Sequence, residues 1–247
     1  MIYIIIGLVV FISVFYLMIT EKIPQAWATM IGGLIMALIG IINEEDALEA
    51  VSERLEILFL LIGMMIIVHL VSETGVFQWF AIKVAQLVRG EPFRLVVLLA
   101  VVTALCSAFL DNVTTILLVV PVTIFLAKRL EVDPKPFVLL QIFASNIGGT
   151  ATMIGDPPNL IIASLSGLEF NDFIFNLTPF IIINMAVLLT SSALYFKNKL
   201  QVSNELKAGI MELSLERTIT NKKLLIQSIV IFSLVILGFL SNSFTHI

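Results

Sequence analysis

One cysteine, Cys106, stands among 247 residues. A disulfide within the chain and a thiolate metal cluster are thereby excluded, and Cys106 is expected to be a small packing group. Charge is equally scarce: Asp, Glu, Lys and Arg together make up 13% of the residues, whereas a soluble domain carries about a quarter. Hydrophobic residues reach 59%, and the mean hydropathy is +1.08. Such a chain is an integral membrane protein, with the lipid bilayer as its first partner. No Walker motif occurs, so ATP hydrolysis is not expected; no enzyme is expected either, since neither Asp111 nor Asp156 stands in an aspartyl-protease motif, and nucleic acid is not an expected partner. Met1 to Ile19 lacks a basic flank and a small-residue cleavage site, and is expected to be a first span.

Apolar runs of about 17–25 residues mark bilayer spans. They fall at 1–19, 26–42, 57–74, 178–196 and 223–240, with an interrupted one at 137–165. Two further segments look interfacial. Residues 43–56 are acidic and amphipathic. Val76 to Gly90 sets Phe77, Trp79, Phe80, Val84 and Leu87 against Gln78, Lys83, Gln86 and Arg89, which suits a helix in the headgroup plane. His69 lies within a span, where a proton relay and a packed side chain are the two readings.

The segment 92–130 has two arms. The second, Thr114 to Ala127, has about 14 residues and reaches roughly 21 Å, short of the roughly 30 Å hydrocarbon core. A polar tip, Asp111-Asn112-Val113-Thr114-Thr115, separates the arms. A re-entrant hairpin is therefore expected. With the N-terminus outside, the inner face collects Lys22, Lys83, Arg89, Arg94, Lys128, Arg129, Lys135, Lys197, Lys199, Lys207, Arg217, Lys222 and Lys223. Only Arg54 is left outside, among acidic residues that include Glu53 and Asp172. That bias predicts a multi-pass protein of the plasma (inner) membrane with its N-terminus outside.

Within the interrupted span, Ser145-Asn146-Ile147-Gly148-Gly149-Thr150-Ala151-Thr152 runs on to Gly155-Asp156-Pro157-Pro158-Asn159. Three glycines, two prolines and a carboxylate cannot continue a lipid-facing helix, and irregular backbone at depth is tolerated only where it lines a polar cavity or is buried in protein. Asp111 and Asp156 are the only acidic residues at this depth. A charge there costs roughly 2.5–3.5 kcal/mol on insertion scales unless paired or hydrated; each aspartate either serves the site or caps a broken helix. Asn112, Thr114, Thr115, Ser145, Asn146, Thr150, Thr152 and Asn159 add neutral oxygens and amides, which suit a hard monovalent cation or a small oxyanion. Gly148, Gly149 and Gly155 are expected to let carbonyls turn inward. Pro157 and Pro158 are expected to stop the inner helical half.

At these motifs, together with Phe109-Leu110 and Pro121-Val122-Thr123, the sequence resembles the ion-transporter superfamily. That group holds arsenite permeases, NhaD-type sodium–proton antiporters, divalent anion–sodium symporters and the melanosomal P protein. The likeness is closest to the arsenite-permease and P-protein branch, with its citrate-transporter-like domain. It implies an inverted-repeat carrier in which a hairpin and a broken helix from each half meet at the membrane midplane. It also implies that Na⁺, where it is the coupling ion, sits at Asn112, Thr114, Ser145 and Asn146. Asp111 stands where symporter relatives have a neutral hydroxyl, which favours H⁺ coupling or a fixed countercharge.

The expected fold is thus an all-α polytopic membrane protein, half of an inverted-repeat carrier. Residues 1–196 would form the N-terminal repeat, 197–222 a cytoplasmic linker, and 223–247 the first helix of a second repeat. A missing C-terminal half and a second copy in a homodimer are the expected partners; no resident cofactor is expected. The expected function is secondary transport of a small ion or oxyanion, by arsenite or anion efflux or by Na⁺/H⁺ antiport. The alternative is a non-transporting truncated relic or an assembly subunit.

Overall fold

Inside lipid, backbone amides have no water to bond, so each apolar run must satisfy them within a helix. The computed structural model describes residues 2–52, 55–196, 200, 202–215 and 218–245. Among these, the helices are α1 (Ile2–Thr20), α2 (Gln25–Leu38), α3 (Glu44–Ser52), α4 (Leu55–Glu73), α5 (Val76–Leu87), α6 (Pro92–Ser107), α7 (Asn112–Arg129), α8 (Lys135–Gly149), α9 (Pro157–Ser166), α10 (Phe170–Phe196), α11 (Asn204–Met211) and α12 (Lys222–Thr245). Four of them, α1, α7, α10 and α12, are long and apolar enough to cross a bilayer, and α4 with α5, bent by 59°, makes five. The chain is an all-α polytopic membrane protein. Glu53, Arg54, Lys197, Lys199 and Arg217 lie outside the described residues.

Several boundaries differ from the sequence expectation for local reasons. The run 26–42 yields only the 14 residues of α2. Gly40 takes φ +76 and the amides of Ile41 and Ile42 both return to the Met36 carbonyl, which closes the helix in a left-handed cap. Helix α10 starts eight residues before the expected span, because Asp172 in its first turn accepts a 2.8 Å bond from the Glu169 amide. The second hairpin arm, α7, has 18 residues rather than 14, since it begins at Asn112 and runs through Arg129. Its length alone therefore no longer argues for re-entry.

The chain divides into two compact units, residues 1–59 and 60–247. In the first, α2 lies against α1 at Gly32, where a Cβ would come within 2.4 Å of Val14 Cγ2. The core of the second is the hairpin α6–α7 packed on α8, with α5 against α7 and α10 against α8. Ala85, Ala100, Ala127 and Ala144 are fully buried there. In lipid, where apolar burial drives little, small residues let helices approach closely enough for dispersion to hold them. Helix α12 joins through Phe239, stacked 5.6 Å from Phe170.

Packing adds two details to the expectations. Helix α5 buries Ala81, Ile82, Val84 and Ala85, whereas Leu87, assigned to its apolar face, is 74% exposed. Ala81 and Ala85 pack on protein beside Ile82 and Val84, while Phe80 and Leu87 face outward. The polar segment 197–222, expected as a linker, packs on the helices where it is described. Ser203 caps α11 through the Leu206 amide, Ile210 is fully buried, and Gln86 Nε2 donates to the Leu213 carbonyl at 2.9 Å. The Thr220 amide bonds the Thr74 carbonyl at 3.0 Å. His69 is exposed on α4, 3.5 Å from Glu73 one turn on.

Candidate functional site

Two helix breaks meet in the second unit. The first is the hairpin tip, Ala108 to Asp111, between α6 and α7. Asp111 is extended, and its Oδ1 accepts from the Thr114 amide at 2.9 Å, so it caps α7 and makes Asn112 the first helical residue. The second is Thr150 to Asp156, between α8 and α9. Pro157 and Pro158 occupy the first positions of α9. They open the second half rather than stop the first, because an amide at a helix start has no intrahelical partner to lose. Asn159 reaches back from that first turn, its Nδ2 donating to the carbonyls of Gly149 at 3.2 Å and Thr152 at 2.9 Å. Carbonyls freed by the break are thus partly recaptured.

Asn112 joins the two breaks. Its Nδ2 donates to Asp156 Oδ2 at 3.0 Å and to Asn146 Oδ1 at 3.3 Å. Its Oδ1 accepts from Ser107 Oγ at 2.6 Å, and its backbone carbonyl accepts from Ser145 Oγ at 3.2 Å. Ser107 and Ser145 are themselves 3.1 Å apart and buried. Thr152 makes a second tie: its hydroxyl donates to the Ala108 carbonyl of the hairpin tip and accepts from the Gly155 amide. One loop therefore cannot move without disturbing the other.

The glycines act differently from expectation. None of Gly148, Gly149 and Gly155 has a positive φ; each is a point of close approach. A Cβ on Gly148 would lie 2.0 Å from the Ala104 carbonyl oxygen, and one on Gly149 would lie 2.0 Å from Asn112 Oδ1. On Gly155 it would lie 2.4 Å from the Gly149 oxygen. The bare backbone lets α6, α8 and the two tips share one space.

Of the residues singled out from sequence, Asn112, Ser145, Asn146, Gly149, Thr152, Gly155, Asp156 and Asn159 come together. Asp111 serves as a cap. Thr114 lends its amide to that cap, and Thr150 bonds back to Asn146 O on its own helix at 2.9 Å. Thr115 is fully buried, and its hydroxyl has no partner among the described residues. Sequence reading missed Ser107, whose one signal is a hydroxyl in an apolar arm shortly before the polar tip. It also missed Gln141, fully buried and bonded through Nε2 to Thr123 Oγ1 at 2.8 Å.

The Asp111 cap makes a testable distinction. Asp111→Ala is expected to lower stability by about 1 kcal/mol, and Asp111→Ser to restore most of it. Thermal unfolding of both variants in detergent checks this. A Ser variant as unstable as the Ala variant would remove the cap assignment.

The site offers hydroxyl, carboxamide, carbonyl and carboxylate oxygens, the donor set of a hard cation such as Na⁺. Comparisons with known proteins agree with a membrane carrier. A 46 kDa membrane protein of Mycobacterium leprae is 41% identical over 244 residues, covering 98% of this chain and 57% of that protein. An uncharacterized transporter of Mycobacterium tuberculosis is 36% identical over 245 residues, with the same coverage of 98% and 57%. The P protein of Homo sapiens is 43% identical over 169 residues, which is 65% of this chain and 20% of that protein. The chain thus spans little more than half the length of its mycobacterial relatives. Residues 15–247 match the family described as citrate transporter, which takes in both helix breaks and the network between them, and the chain belongs to that family.

Proposed function

We propose that the chain supplies one side of the translocation site of a secondary transporter, which moves a small ion or oxyanion by alternating access. Na⁺ or H⁺ is the coupling ion. Asn112 carries this reading: one carboxamide holds the hairpin tip to Asn146 and Asp156 in the broken helix. A cation entering here takes oxygen from Asn112, Ser145, Asn146 and Asp156. Asn112 must then turn its Nδ2 away from Asp156 and present Oδ1, which also releases Ser107. Ion binding and loop release are in this way one event, the differential interaction that coupling needs. The family name favours a small carboxylate or oxyanion as cargo, while arsenite efflux and Na⁺/H⁺ antiport fit the same donors.

The orientation proposed has the N-terminus outside. Lys83 on α5, Arg89 and Arg94 around the α5–α6 junction, Lys128 and Arg129 at the end of α7, and Lys207 on α11 then face the cytoplasm. Packing of α11 on both α5 and α7 supports placing these cations at one end. The test is flux: the carrier containing this chain is reconstituted in vesicles, and uptake of citrate, arsenite and Na⁺ is followed under imposed Na⁺ and H⁺ gradients. Gradient-driven uptake of at least one above protein-free vesicles is expected. No flux under any gradient overturns the proposal.

A further inference from the structure

We propose a second site, apart from the Asn112 network: the cavity between the α5–α6 junction and α11 binds the headgroup of an anionic phospholipid. The cavity measures about 940 Å³ and is lined by Arg89, Arg94, Lys207 and Glu91 with an apolar rim. Lys207 Nζ lies 2.7 Å from Glu91 Oε2, so those two charges cancel. Among the described residues, neither Arg89 nor Arg94 has a carboxylate partner. Two uncompensated guanidiniums therefore face one cavity, and the guanidinium fork matches phosphate oxygens two at a time.

The backbone is shaped to put them there. Arg89 and Gly90 are consecutive left-handed residues, with φ +52 and +66. A non-glycine residue in that region is uncommon. The turn they make brings the end of α5 beside the start of α6, and Gly90 seats Lys207, whose Cα would be 3.1 Å from an added Cβ. Glu91 is the N-cap residue of α6, yet its side chain makes no cap bond; it is committed to Lys207 instead. The first-turn amides of α6, at Phe93 and Arg94, thus keep a positive end free for an anion.

The rim selects a lipid over free phosphate. Leu87 is 74% exposed and Met211 is 50% exposed, and both line the same cavity as the cations. A hydrated phosphate would leave them bare, whereas the glycerol and upper acyl carbons of a phospholipid would cover them. Basic pockets at the membrane boundary recognise anionic headgroups by this pairing of charge with apolar contact. The docked α11 forms one wall, so occupancy would also hold α11 in place.

The test uses the chain in a neutral detergent. Its thermal unfolding midpoint is followed during titration with dioctanoyl-phosphatidylglycerol, dioctanoyl-phosphatidylcholine or inorganic phosphate. The anionic phosphatidylglycerol is expected to raise the midpoint saturably, and the other two to leave it unchanged. The double variant Arg89→Asn with Arg94→Gln, in which Asn tolerates the left-handed backbone, is expected to bind at least about tenfold more weakly. Its unliganded midpoint should stay at the wild-type value. Leu87→Ser, at an exposed position with all charges kept, should weaken binding as well. No shift with the anionic lipid, or equal shifts in wild type and double variant, overturns the proposal. A phosphate shift as large as the lipid shift overturns the lipid assignment in favour of a free phosphate ligand.

Discussion

Ion-coupled transport is expected to fall by about 100-fold when Asn112 becomes alanine, because the ion loses the Oδ1 oxygen and the loops lose the side chain through which binding releases them, and one bond to a charged group is worth about 1.5–3 kcal/mol. The substitution unties both loops at once. Asp156 and Asn146 lose the Nδ2 donor, and Ser107 loses its acceptor. Folding and insertion are expected to stay near normal, since the gap is polar and a water can occupy it. Asn146→Ala removes only one of these bonds together with its own ligand oxygen, and is also expected to abolish coupling. Asn176, on α10 and bonded among the described residues to the Asp172 carbonyl one turn back, provides a control whose alanine variant should transport normally. The measurement is flux per inserted carrier in vesicles. Wild-type flux in both the Asn112 and Asn146 variants would remove the site assignment.

Gly148→Ala is expected to cost the protein its fold rather than its ion. The new Cβ would lie 2.0 Å from the Ala104 oxygen and 2.6 Å from the carbons beside it, all backbone of α6. No rotamer can relieve a clash between two backbones, so α6 and α8, the most closely packed helices of the second unit, must part. Overpacking usually costs about 1–3 kcal/mol, and more where backbone must shift. A lower unfolding midpoint and a smaller monodisperse fraction are therefore expected. Gly63→Ala is the control, for nothing lies within 4 Å of its added Cβ, and exchanging glycine for alanine in a helix gains about 0.5–1 kcal/mol. Gly149→Ala should separate the two effects. Its Cβ meets the Asn112 side chain at 2.0 Å and one backbone oxygen, of Gly155, at 2.9 Å, a milder backbone clash than that of Gly148, so transport should be lost with less damage to stability. A wild-type midpoint for Gly148→Ala would refute the close approach of α6 and α8.

Where boundaries rest on local chemistry, they were readable. Pro92 starts α6 because proline fits a first turn, and Asp111 starts α7 because its carboxylate takes a free amide. The hairpin and the broken helix consequently stand within a few residues of where the sequence places them. The helix-stopping role read for Pro157 and Pro158 failed, because the actual end of α8 depends on Asn159 reaching back to Gly149. The packing of the 197–222 linker was not legible for a similar reason. Its polar composition is real, but Ile210 and Leu213 find partners on α5 that lie more than a hundred residues earlier.

Composition and periodicity were enough to establish a helical membrane protein, since lipid admits no unpaired backbone and the apolar runs are long. The motifs were enough to show that two of those runs must break on polar residues. Which residues meet across the breaks is another matter. Ser107 against Asn112, Thr152 against Ala108 and the bare faces of Gly148 and Gly149 are contacts between helices. They depend on the relative placement of α6, α7 and α8, and no local propensity encodes that placement. The site's elements follow from short-range rules of helix starting and stopping; its geometry follows from packing that admits a carbonyl where a methyl group would not fit.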